Sequence, residues 1–147
     1  MLAVVMALLL LSSCQSTKPA MPAPDTAAVS GALAEGISYG YREYTYAEGF
    51  SYGLASKWEM RPVGKVTVNF CAPASNLYPI SLMIEDSESR LLGNTGLLMP
   101  GCHLTELQLT GIPPETDEIC LTIFAYQEDG EVQYTASRYE TLVRTYD

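Results

Sequence analysis

From residue 36 onwards, apolar and polar side chains alternate in short runs, which is typical of β-strands with one buried face. Val66, Val68 and Phe70 share one face of such a run, and similar runs begin at Ile80 and Leu107. No segment keeps a 3.6-residue apolar period over three turns. The pattern therefore predicts an all-β domain.

The run from Ile119 to Tyr126 is largely apolar on both faces, so we expect it in the middle of a sheet. Asp129-Gly130 follows, and this pair suits the positive φ of a hairpin turn. Residues 132–136 are then predicted to return antiparallel, and residues 139–146 to form a last strand. Seven or eight short strands, with turn signals about every 8–12 residues, predict an antiparallel β-sandwich of the immunoglobulin or fibronectin III kind over residues 36–147.

The N-terminus has the pattern of an export signal. Residues 2–11 are uninterruptedly apolar, although no Lys or Arg precedes them. The run falls well short of the roughly 20 apolar residues that a membrane-spanning helix needs, and it matches the apolar part of a signal peptide. Residues 11–14, Leu-Ser-Ser-Cys, resemble the bacterial lipobox, in which a peptidase cleaves before the Cys and the thiol accepts a diacylglycerol. We predict a lipoprotein signal peptide over residues 1–13 and a lipid on Cys14.

Residues 15–35 are rich in Pro, Ala and Ser and show no period of two. Such a composition favours extended, solvated backbone. Residues 14–35 are therefore predicted to be the lipidated Cys and a disordered tether, with a short helix over residues 27–34 as the alternative.

Charge excludes one class of partner. The chain has 8 basic and 17 acidic residues, a net charge of −9 and a pI near 4.4. Nucleic-acid binding depends on basic groups that neutralise phosphates, so DNA and RNA are not expected partners. Ten of the acids and only one base, Arg90, lie between Glu85 and Glu131.

Candidate catalytic and metal-binding groups are few. His103 is the only imidazole and follows Cys102, but adjacent strand residues point to opposite faces, which disfavours a nucleophile and base pair. Zinc needs about four N or S ligands at characteristic spacing, and the sequence contains no set of residues with such spacing. The acidic groups at residues 85–88 and 128–131 lack EF-hand spacing, so solvated turns are favoured over calcium sites. We predict no enzyme activity, no metal and no cofactor.

Lipidation of Cys14 would leave Cys71, Cys102 and Cys120, an odd number for an oxidising compartment. Cys71 and Cys120 each alternate with core-facing residues. A disulfide between Cys71 and Cys120 is one prediction, and three small buried thiols are the alternative.

Aromatic residues are concentrated near the start of the domain, where seven lie within twenty positions: Tyr39, Tyr41, Tyr44, Tyr46, Phe50, Tyr52 and Trp58. Exposed tyrosines suit sugar rings or a protein partner, because they combine an apolar ring with a hydroxyl. Tyr39, Tyr41, Tyr52 and Trp58 are the candidates for such contacts. Packing in strands and core is the alternative.

About 60 residues resemble a known group of proteins. The matching segments include Val66–Phe70, the run SNLYPISLMIEDS from Ser75 and the run TGLLMPG from Thr95. They are similar to small, uncharacterised lipoproteins of anaerobic Gram-positive bacteria with an immunoglobulin-like β-sandwich. Ala72 departs from the Asn of that pattern before Pro73, and residues 117–120 replace its Gly-x-Tyr. The resemblance implies the fold and the lipid anchor, but no mechanism.

Together these features predict a lipid-anchored, extracytoplasmic and non-catalytic binding module of the bacterial cell envelope. Its expected partners are the membrane, through the lipid, and an envelope protein or glycan. The alternative is a structural accessory subunit of an envelope assembly that binds no small ligand.

The Cys14→Ser variant should lose the lipid adduct, because the hydroxyl cannot form the thioether. Intact-mass spectrometry and membrane fractionation would show both changes. An unchanged mass and membrane fraction would contradict lipidation at this residue.

Overall fold

A computed structural model describes residues 19–33 and 40–145. Over these residues the chain forms ten β-strands and no helix, which confirms the all-β prediction. The strands are β1 (Val29–Ser30), β2 (Tyr41–Ala47), β3 (Phe50–Ala55), β4 (Trp58–Met60), β5 (Lys65–Cys71), β6 (Ile80–Asp86), β7 (Leu91–Asn94), β8 (Cys102–Gln108), β9 (Glu118–Tyr126) and β10 (Val132–Arg144).

The strands form one mixed sheet in the order β1-β8-β5-β4-β10-β9-β6-β7, and the β2–β3 hairpin joins β5 through Gly53 opposite Cys71. The prediction of a purely antiparallel arrangement is wrong, because Leu142–Arg144 of β10 runs parallel to β4. Residues 132–144 form one strand instead of the two that were predicted. Because β10 extends beyond the end of β9, its last residues meet β4, a strand from a distant part of the chain.

The core explains the alternating pattern. Val66, Val68 and Phe70 of β5 are fully buried in one cluster with the apolar residues of β6 and β9, including Ile84 and Leu121. These strands lie on opposite sides of β10 in the strand order, so the sheet curls around a shared core. Burying each such side chain contributes about 1.5–3 kcal/mol.

Strand β9 lies between β10 and β6, as its two apolar faces predicted. Its second face forms a separate small cluster with the neighbouring strands and the loop after β7: Leu97, Phe124, Tyr126 and Val132, with Met83 against them. The β9–β10 turn has the predicted Asp-Gly form. Gly130 has a φ of 87°, and the Gln127 N–H donates to the Glu131 carbonyl over 2.8 Å.

Residues 19–33, the described part of the predicted tether, follow the surface of the domain, and we call them the N-terminal strap. The Leu97 N–H donates to the Ala23 carbonyl at 2.9 Å, and the Asp25 N–H donates to the Leu97 carbonyl at 3.0 Å. Farther along, Val29 pairs with His103 of β8. These contacts are made largely by backbone groups, so the composition of the segment gave no indication of them.

The signal peptide, Cys14 and the predicted domain boundary at residues 35–36 lie outside the described residues. Within the described residues, no helix is long and apolar enough to cross a membrane.

The Leu121→Ala variant should lower the free energy of unfolding by about 2–5 kcal/mol, because it leaves a cavity where a fully buried side chain lies in the shared core. Leu91→Ala is the matched control, since Leu91 is 56% exposed on β7. Urea denaturation measures both changes. Equal effects of the two substitutions would contradict the position of the core.

Candidate functional site

A groove of about 500 Å³ lies beside the outer face of β5. The end of the strap forms one wall, and Tyr41 and Glu43 of β2 form another. The end of β5 and the loop after it supply much of the remaining lining. The lining residues are Gly31, Ala32, Leu33, Tyr41, Glu43, Cys71, Ala72, Pro73, Ala74 and Gly101.

Gly53 makes room for the Tyr41 ring. Glu43, Gly53 and Cys71 lie opposite one another on β2, β3 and β5, which places the glycine in the middle of a row across three strands. A Cβ at Gly53 would overlap the ring of Tyr41. An aromatic side chain that covers a strand glycine in this way replaces the packing that the glycine lacks.

The Tyr41 hydroxyl, the Cys71 thiol and the Glu43 carboxylate lie close together at this row of residues. The Tyr41 hydroxyl donates to a Glu43 carboxylate oxygen at 3.3 Å and also interacts with the Cys71 thiol. Burial raises the pKa of Tyr41, and the nearby Cys71 and Glu43 raise it further. Burial likewise raises the pKa of Cys71. The phenol and the thiol are therefore neutral at pH 7, and a protonated thiol is a poor nucleophile.

The four aromatic residues that were predicted to contact a partner differ in their exposure to solvent. Tyr41 is 37% exposed and lines the groove, and Tyr39 lies outside the described residues. Tyr52 and Trp58 are buried, at 3% and 2% exposure, so the prediction that they contact a partner is wrong. Both rings belong to the shared core, on strands β3 and β4.

Tyr52 has a structural role instead. It stacks on Tyr44 with ring centroids 5.4 Å apart, and the Arg138 guanidinium lies 3.7 Å from the centre of the Tyr44 ring. Arg138 is on β10, so this stack connects the β2–β3 hairpin to the strand at the centre of the sheet.

The predicted disulfide between Cys71 and Cys120 is not formed. Cys71, Cys102 and Cys120 are all free thiols. Cys71 ends β5 between the core residues Phe70 and Ala72, and Cys120 lies between Ile119 and Leu121 of β9. Alternation turns both thiols away from the shared core. Since β5 and β9 lie on opposite sides of that core, the two thiols point in opposite directions.

The strap engages the only histidine. His103 Nδ1 donates to the Gly31 carbonyl at 2.7 Å, and the Ser30 hydroxyl lies 3.9 Å from the Cys102 sulfur. Both contacts hold the strap against β8.

The acidic side chains in the two turns accept hydrogen bonds from residues of the same turn. One oxygen of Asp86 accepts the Glu88 and Arg90 N–H groups, each at 2.9 Å, and the other accepts from the Arg90 side chain at 2.7 Å. Asp129 similarly accepts the Glu131 N–H. Among residues 19–33 and 40–145, no group of three or more His, Cys, Asp or Glu side chains is arranged to hold a metal ion.

A second concave surface lies at the end of the domain that carries the β9–β10 turn. It has a volume of about 420 Å³ and lies between the β5–β6 loop and that turn. Leu77, Met99 and Met21 line it and are 71%, 48% and 38% exposed. We call it the apolar loop end. The sequence pattern gave no sign of it, because single apolar residues in separate loops produce no periodicity.

Comparisons with known proteins leave the family open. No protein-family model matches the chain, and no curated protein does. A crystal structure of CopC from Methylosinus trichosporium OB3b is similar with a TM-score of 0.35 and 12% identity, over 62% of this chain and 89% of that one. A similarity this low identifies neither the family nor the function.

The Tyr41→Ala variant should increase the alkylation rate of Cys71 several-fold, because it removes the ring and hydroxyl that contact this thiol. Maleimide labelling followed by peptide mass spectrometry measures each cysteine separately, so Cys102 and Cys120 serve as internal controls. Tyr41→Phe keeps the ring and should leave Cys71 largely protected. Equal labelling of Cys71 in wild type and Tyr41→Ala would show that Tyr41 does not cover it.

Proposed function

We propose that this chain is a lipid-anchored, extracytoplasmic and non-catalytic binding module of the bacterial cell envelope, and that a glycan binds in the groove beside Tyr41. The observation that carries the proposal is the partly exposed Tyr41 ring, packed over Gly53 and adjacent to the Glu43 carboxylate.

This arrangement suits a sugar for two reasons. A ring supported over Gly53 offers its open surface to the apolar C–H groups of a pyranose, with little loss of side-chain freedom on binding. Glu43 is exposed beside it and accepts hydrogen bonds from sugar hydroxyls. Pro73 and Ala74 add apolar surface to the lining.

The groove residues support binding without catalysis. Glycoside hydrolysis generally uses two carboxyl groups across the scissile bond, and Glu43 is the only acid among the described lining residues. The raised pKa of Cys71 leaves its thiol protonated. His103 is hydrogen bonded to the strap and is not among the lining residues of the groove.

The envelope location in this proposal rests on the sequence. The apolar run over residues 2–11, the small residues before Cys14 and the resemblance to bacterial lipoproteins all support export and lipid attachment.

The apolar loop end favours a second candidate, a structural accessory subunit of an envelope assembly. Leu77 and Met99 are large, exposed and close together around one concave surface, as in many protein contacts. In this role the loop end would bind a protein, and the groove would have no ligand.

Sedimentation with purified peptidoglycan tests the first candidate. The Tyr41→Ala variant should bind several-fold more weakly, since an aromatic contact contributes about 0.5–1.5 kcal/mol. Tyr139→Ala is the matched control, because Tyr139 is 70% exposed on β10 and does not line the groove.

Equal binding by wild type and Tyr41→Ala, or no binding by either, would contradict the glycan site. Capture of one envelope protein that is lost in Leu77→Ser but retained in Tyr41→Ala would favour the accessory role instead.

A further inference from the structure

We infer that the N-terminal strap holds the anchored domain close to the lipid bilayer, with the β9–β10 turn, residues 127–131, on the membrane side. The inference rests on the proposed lipid attachment at Cys14. It differs from a flexible tether, which would leave the domain free to rotate far from the membrane.

The strap is fastened at two places along its length. Asp25 is the first: its Oδ2 accepts the Gly96 N–H at 2.8 Å, and its Oδ1 accepts the Ala27 N–H at 2.9 Å. A Cβ at Gly96 would lie 2.6 Å from the Asp25 Cα, so the two backbones approach closely. The second place is the pairing of β1 with β8, continued by the Gly31 N–H that donates to the Gly101 carbonyl at 2.8 Å.

The start of the strap lies at one end of the domain. Pro19 and Ala20 line a small cavity together with residues 130–132, which are the end of the β9–β10 turn and the first residue of β10. The same two residues also border the outer face of β6 and β9. Met21 follows and lies beside the β9–β10 turn, with its Cβ 3.8 Å from a Cβ placed on Gly130.

The length of chain before the strap limits how far the domain can move. Five residue steps separate Cys14 from Pro19. At no more than about 3.6 Å each, they span at most roughly 18 Å. A lipid on Cys14 therefore keeps Pro19, and the turn beside it, within this distance of the membrane surface.

The opposite end of the domain lies much farther away. Strand β10 has 13 residues from Val132 to Arg144 and is about 40 Å long at roughly 3.3 Å per residue. Arg144 pairs with Met60, and the β4–β5 turn at residues 61–64 follows directly. The β4–β5 turn therefore lies about 40 Å from the end of the domain that Pro19 and the short connection hold near the membrane.

Charge does not produce this orientation. The β9–β10 turn carries three acids and no base: Glu128, Asp129 and Glu131. Anionic headgroups would repel them. The orientation thus depends on the strap and the short connection to Cys14, and it should be clearest on a zwitterionic bilayer.

Paramagnetic relaxation in NMR spectra tests the inference. The lipidated full chain is placed in phosphatidylcholine nanodiscs that contain a gadolinium-chelate lipid. We expect the amides of Gly130 and Glu131 to relax several-fold faster than in discs without gadolinium, and those of Gly64 and Lys65 to change little. Equal enhancement at the two ends, or a larger one at Gly64, would overturn the inference.

Release of the strap should remove the difference. Asp25→Pro eliminates both carboxylate contacts and the Asp25 N–H bond to the Leu97 carbonyl, so the free connection should lengthen and the enhancement at the two ends should become more similar. Thr26→Ala is the matched control, because Thr26 is exposed and adjacent. If Asp25→Pro leaves the difference unchanged, the fastening at Asp25 does not set the orientation.

A second anchor separates this inference from the proposed lipidation. A polyhistidine tag replaces residues 1–14 and binds a nickel-chelating lipid, while intact mass reports whether the natural chain carries a lipid. If the natural chain has no lipid but the tagged chain shows the end-to-end difference, the proposed lipid attachment fails and the role of the strap stands. If the tagged chain shows no difference, the role of the strap fails.

Discussion

Strand β10 holds the two parts of the sheet together. It pairs antiparallel with β9 over most of its length and then parallel with β4 at Leu142–Arg144. Hydrogen bonds fasten its end: the Arg144 guanidinium donates to the Thr116 and Pro113 carbonyls at 2.6 and 2.9 Å, and the Thr145 N–H donates to the Met60 carbonyl. Because β5 and β9 meet in one core only when both sides are joined, these few pairs keep the sheet curled.

The groove depends on this frame indirectly. The β2–β3 hairpin that carries Tyr41 pairs with the rest of the sheet at Gly53 opposite Cys71. The Leu77 N–H also donates to the Gly49 carbonyl in the hairpin turn at 2.9 Å, and the stack of Arg138, Tyr44 and Tyr52 joins β10 to the hairpin. The buried aromatics therefore position the exposed one. This division of roles explains how a cluster of similar residues includes both core and surface groups.

The parts of the fold that were predictable from sequence are those recorded in side-chain alternation and local turn chemistry. The face of Val66, Val68 and Phe70, the central place of β9 and the Asp129-Gly130 turn are of this kind. The parallel pairing of β10 with β4 and the docking of the strap were not predictable, since backbone groups make most of those contacts and leave no trace in the side-chain pattern.

The candidate site was only partly visible for a related reason. Tyr41 and Tyr52 have the same side chain and lie eleven positions apart, yet Tyr41 lines the groove and Tyr52 lies in the core. The difference comes from which strand face each occupies after pairing, and from the space that Gly53 leaves. Leu77 and Met99 meet only because two distant loops end at the same side of the domain. The amino-acid composition shows neither the strand face of each tyrosine nor the proximity of the two loops.

Backbone amide chemical shifts of the full chain, followed during titration with soluble peptidoglycan fragments, test most directly whether the groove binds a ligand. Saturable shifts should concentrate at Tyr41, Glu43, Cys71 and Ala74, because these residues line the groove. Shifts confined to Leu77 and Met99 at the apolar loop end, or no saturable shifts at all, would contradict glycan binding in the groove.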